Sequence, residues 1–155
     1  MDRYLGQQSE SVCHAVDQRL VDDATARYMA ESRRHFDDLR QVSAQLAGLL
    51  VLAAAGSRSA GPHHPIVESA AQLYGEALDG IRQMRLTRRS RKHHQHLIEA
   101  AEALGQALAA ARSGLAIDPV LVPLRAAYAQ LELASRELPG FQMVAFDQAC
   151  CRRNE

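Results

Sequence analysis

The sequence predicts an all-α protein, a bundle of long helices, on three observations. The composition is rich in Ala and Leu, with 5% aromatic residues and no Trp, which suits helix and starves a β-sheet of its preferred residues. The nine Gly and five Pro fall mostly where a helix would have to stop. Between them, apolar and small residues recur in steps of three and four. At 155 residues the chain has the size of one domain, 1–155, able to bury roughly 68–70% of its unfolded surface without staples.

The first helix is expected over about 9–55. This stretch has no Pro and one Gly, and its stripe runs Val21, Thr25, Tyr28, Ser32, Phe36, Leu39, Ser43, Leu46, Leu50, Ala53. Its centre, Glu31 to His35, is polar all round, so a break would fall there. Gly56 supplies the stop, GSRSAGPHHP is a linker, and Pro65 suits the first position of the next helix. In that linker His63 and His64 are expected to be exposed loop residues.

A second helix is expected over about 65–113, through Val67, Ala70, Leu73, Ala77, Ile81, Met84 and Arg88, then Leu97, Ala101, Leu104, Leu108 and Ala111, with Gly114 as its stop. The two helices fold as an antiparallel hairpin that pairs positions summing to about 120. Asp118-Pro119 and Val122-Pro123 make a turn, because the second Pro would clash inside a helix begun at the first. A third helix follows over about 123–138, ended by Pro139-Gly140. Residues 139–155 form an irregular C-terminal tail that lays Phe141, Val144 and Phe146 over an open edge of the bundle.

The alternative is a compact bundle of four or five shorter helices. A mean helix length of about 11–12 residues favours it, while the lack of Gly or Pro at either polar centre favours the hairpin. In the hairpin the half around Leu39–Ala53 and Val67–Ile81 has only two helices. Two helices leave apolar stripes uncovered, so a homodimer is expected.

Function is expected to centre on Arg82 to His96, RQMRLTRRSRKHHQH, which holds five Arg, one Lys, three His and no acidic residue. The whole chain has 18 basic and 18 acidic residues, so an acidic body carries a basic band. On a helix, Arg82, Arg85, Arg89 and Lys92 share one stripe, which His96 extends. With Arg88 and Arg91 they are the candidate contacts for an anionic partner, a protein or a small ligand, since guanidinium groups offer forked donors and their summed field attracts anions. The competing reading is a solvated face neutralised by Asp22, Asp23 and Glu31 across the hairpin. Zero net charge and the absence of aromatics in the band argue against nucleic acid.

A second constellation is His93 and His96, one turn apart, with Glu99 a turn further and Asp22 or Asp23 opposite. Two imidazoles and a carboxylate suit zinc or a similar divalent ion, although six neighbouring cations oppose a metal. No cofactor is the first expectation, and zinc the alternative. There is no phosphate-cradling Gly loop, no nucleophile elbow and no H-E-x-x-H, so no catalytic residue is assigned.

Cys13, Cys150 and Cys151 are odd in number and two are adjacent, a poor disulfide framework, which fits a reducing cytoplasm. The N-terminus lacks the pattern of a secretory signal. The longest apolar run, Leu46 to Ala55, is half the ~20 residues a spanning helix needs, so no membrane partner is expected. The chain therefore reads as a non-enzymatic interaction or regulatory module. The alternatives are a metal-binding bundle, sensor or metal-dependent enzyme, and a purely structural oligomerisation protein.

Overall fold

A computed structural model describes residues 22–143, which form four helices and, among these residues, no strand. They are α1 (Asp23–Ala54), α2 (Pro65–Gln83), α3 (Arg91–Ser113) and α4 (Ile117–Glu137). The expected all-α bundle is what forms. Residues 9–21 of the expected first helix, the three cysteines, and Val144 and Phe146 lie outside the described residues.

α1 is one helix of 32 residues, about 48 Å at the usual helical rise. Asp22 caps it, one carboxylate oxygen accepting the Thr25 amide proton at 2.7 Å and the other the Thr25 hydroxyl at 3.1 Å. The polar centre does not break, because neighbours occupy it. Ser32 is fully buried, Arg34 pairs with Asp38 and with Glu76 of α2, and the His35 imidazole lies directly on Gly80 of α2, where a Cβ would overlap it. At the other end Gly56, with φ +75°, closes the helix. Its amide bonds Ala53 O and the Ser57 amide bonds Leu52 O, the pair of bonds by which a left-handed residue satisfies the last carbonyls. α2 begins as expected at Pro65, with His64 Nδ1 accepting the Ile66 amide proton at 3.2 Å. His64 is thus a cap rather than a spare loop histidine.

The expected single helix over 65–113 is two helices, separated by residues 84–90 inside the basic band. Three effects act together. Arg82, Arg85, Arg88, Arg89 and Lys92 on one continuous helix would repel at spacings of three and four. Thr87 and Ser90 instead form a reciprocal cap: the Thr87 amide donates to Ser90 Oγ at 2.9 Å and the Ser90 amide to Thr87 Oγ1 at 3.2 Å, an alternative that Ser and Thr side chains offer to helix. The Thr87 hydroxyl is further tied to Thr25 at the head of α1 at 3.1 Å.

α4 starts six residues before the expected 123, and Pro123 lies inside it. A proline at that position withholds only the bond to the Pro119 carbonyl, and Pro119 is exposed to water. Val120, Leu124, Ala127, Leu131 and Ala134 are all buried on one face, and helix from Ile117 onward is what places Val120 among them. One hydrophobic core joins all four helices, and Phe141 closes one end of it. The half expected to have two helices does not exist. Arg112 of α3 reaches Glu68 of α2 at 3.2 Å, and Leu124 and Leu131 of α4 face Ser43 and Ala44 of α1 across a shared groove.

Candidate anion-binding loop and the buried histidine beside it

The six cations of the band are brought together at one end of the bundle, but around a connection rather than along a helix. Arg82 is in the last turn of α2, Arg85, Arg88 and Arg89 are in the 84–90 segment, and Arg91 and Lys92 open α3. All six are exposed. Among the described residues, none of the ion pairs engages Arg82, Arg85, Arg88, Arg91 or Lys92. Asp23 and Glu31 pair with none of the band either. Asp22 faces it, its carboxyl held below the usual range by the Thr25 amide, then by the Thr25 hydroxyl, with a smaller contribution from Arg89. Of the three carboxylates expected to neutralise the band, Asp22 is the one placed beside it.

Arg91 and Lys92 also sit at the positive end of the α3 dipole, where cations are disfavoured and anions welcomed. The segment is held in place by the Thr25, Thr87 and Ser90 hydroxyls, and Thr25 and Ser90 are fully buried. Thr87 and Ser90 bond to each other in the turn that precedes α3, and Ser90 is the last residue before that helix.

The five residues considered as metal ligands do not converge. Among the described residues no group of three or more His, Cys, Asp or Glu side chains is placed to share an ion. His93 is fully buried, its Nδ1 bonded to Tyr28 Oη at 2.8 Å. Its ring lies 4.2 Å from that of Phe141 and edge-on to Tyr28 at 5.6 Å, centroid to centroid. His96 Nδ1 is 2.8 Å from Gln130 Oε1 of α4. Glu99 accepts from Gln95 one turn back, Asp22 caps α1, and Asp23 is exposed in its first turn. Burial pushes His93 down to about 4, with smaller contributions from His94 and His96, and pushes the Tyr28 hydroxyl up. A neutral imidazole wedged between aromatic rings is a packing element. Its Nε2 is buried without a hydrogen-bond partner among the described residues.

A cavity of about 710 Å³ is an open groove between α1 and α4, walled by Ala44, Ala47, Leu124, Tyr128 and Met143. No spacing in the sequence marked it, since it depends on how far two helices distant in the chain stand apart. No helix among the described residues is long and apolar enough to cross a membrane. No protein-family model, curated protein or solved structure matches this chain.

Proposed function

We propose that the protein is an interaction or regulatory helical module that binds an anionic partner or ligand through Arg82, Arg85, Arg88, Arg89, Arg91 and Lys92. The observation that carries this reading is the concentration of these exposed cations around one connection, with five of them outside any ion pair among the described residues. Cations left without carboxylate partners keep their field for an incoming anion. The buried hydroxyl network beneath them supports it, because a fixed backbone lowers the ordering cost of binding. The cysteine pattern fits action in a reducing cytoplasm.

The test is a fluorescence titration with a fluorescein-labelled polyglutamate peptide at low and raised salt. Binding at low salt that weakens steeply as salt rises is expected, together with loss of about tenfold or more on Arg85→Glu with Arg88→Glu, since each reversal removes an attraction and adds a repulsion. An unchanged affinity in that double variant would sink the reading.

Association of two copies is a second reading, favoured by the apolar side chains left outside. Val51 at the end of α1 and Val122 near the start of α4 are each 68% exposed, and Ile117, Leu121 and Leu133 are exposed as well.

A further inference from the structure

A smaller site is built where α1 meets the segment that follows α4. Arg33, Asp37 and Arg40 of α1, with Gly140, Phe141 and Gln142, bound a pocket of about 150 Å³. Two guanidinium groups are seated there by different means. Arg33 lies over the Phe141 ring at 5.8 Å from its centroid, and its Nη2 stands 2.5 Å from the point a Cβ would occupy on residue 140. A side chain at residue 140 would shift the tip of Arg33 from that place. Gly140 itself has φ +88°, a conformation that any other residue adopts under strain.

Arg40 lies over the Phe36 ring at 5.9 Å and pairs with Asp37 at 3.0 Å. The two phenyl rings beneath them meet edge to face at 5.3 Å. Both cations therefore rest on one aromatic pair, which is itself packed against the buried His93 ring. Seating a guanidinium on a ring costs it none of its in-plane N–H donors, so the fork stays available. Asp37 neutralises Arg40, whereas Arg33 has no carboxylate partner among the described residues. The pocket keeps one positive charge in excess.

We infer that this pocket binds a small oxyanion, a phosphate or carboxylate group held chiefly by Arg33, with Gly140, whose φ suits glycine, leaving the space beside the guanidinium open. A volume of 150 Å³ corresponds to about five water molecules at their share of the liquid. It admits the anionic group and is well short of the ~300 Å³ that a drug-sized molecule fills, so the rest of any larger bearer stays outside. The site uses no residue of the basic band and stands or falls apart from it.

The test is a titration of the ¹⁵N-labelled protein with inorganic phosphate and, separately, acetate, with sodium chloride at matched ionic strength as the control. Saturable shifts of the Gly140 and Gln142 amides are expected with at least one of the two oxyanions and not with chloride. They should weaken about tenfold or more in Arg33→Ala, weaken less in Arg33→Lys, which keeps the charge but loses the fork, and persist in Arg88→Ala. The solvent-facing position of Arg33 lets these variants fold, and the rest of the spectrum reports that directly. Shifts confined to the band, equal shifts with chloride, or an affinity untouched by Arg33→Ala would each overturn the assignment.

Discussion

His93 links the chemistry of single residues to the stability of the bundle. A histidine held neutral at about 4, against roughly 6.5 in an unfolded chain, favours the folded state only while it is unprotonated. Its contribution is complete above about pH 6.5, is lost as pH falls toward 4, and is flat below that. The full difference is on the order of 3 kcal/mol. Urea unfolding at pH 7 and pH 4.5 should show most of that loss, on top of smaller losses in the same direction from His35 and His94, which burial also lowers. The double change Tyr28→Phe with His93→Leu removes both ends of the buried hydrogen bond and should flatten the profile by about the His93 share. An unaltered slope would mean that His93 does not set it. The pairing was half legible in the sequence. Tyr28 and His93 sum to 121, the register an antiparallel pairing predicts, yet spacing shows which residues share a face and not which of them are sealed from water. That is why two histidines one turn apart left a metal site standing as the alternative.

Among the elements, the contact between α1 and α2 turns on Gly80. Gly→Ala inside a helix ordinarily stabilises by about 0.5–1 kcal/mol. Here the new methyl would overlap the His35 ring, and overpacking costs about 1–3 kcal/mol, so Gly80→Ala should destabilise. In a His35→Ala background the same change should stabilise. Denaturant midpoints of the four proteins decide the matter, and additive effects would refute the contact. The termini of the elements were legible wherever one residue type enforces them: Gly56 and Pro65 act as their chemistry dictates, and α3 ends before Gly114 as expected, although the left-handed residue there is Leu115 with φ +51°. The interruption at 84–90 was hidden by its own charge pattern. Steps of three and four among Arg82, Arg85, Arg89 and Lys92 imitate a helical face, whereas equal charges at those steps oppose one. Pro119 and Pro123 misled in the other direction: Pro119 stands in the first turn, which tolerates a missing donor, and Pro123 leaves only the exposed Pro119 carbonyl without its helical bond.

At the scale of the whole molecule, the helical class followed from composition and spacing alone, and the arrangement did not. The hairpin keeps both long segments whole and the compact bundle breaks both at their polar centres, whereas the described residues break only the second, at 84–90. Self-association belongs to this scale. With the two-helix half absent, its case rests on Val51, Val122 and their exposed neighbours. Sedimentation at micromolar concentration should give a dimer for the native chain and a monomer for Val51→Lys with Val122→Lys, since a charge at the centre of an apolar contact is costly to bury. A native monomer would remove the second reading and leave the first intact.

The opening of α3 places Arg91 and Lys92 against the positive pole of their own helix, beside Arg85, Arg88 and Arg89. Like charges at that end, Arg91 and Lys92 with the helix pole, oppose one another. An anion settling there would relieve the repulsion as well as make contacts of its own, and whatever favours the folded state in this way raises its population by mass action. If the proposed anion binds, occupancy and melting temperature become one quantity read two ways, and heat alone would report the ligand.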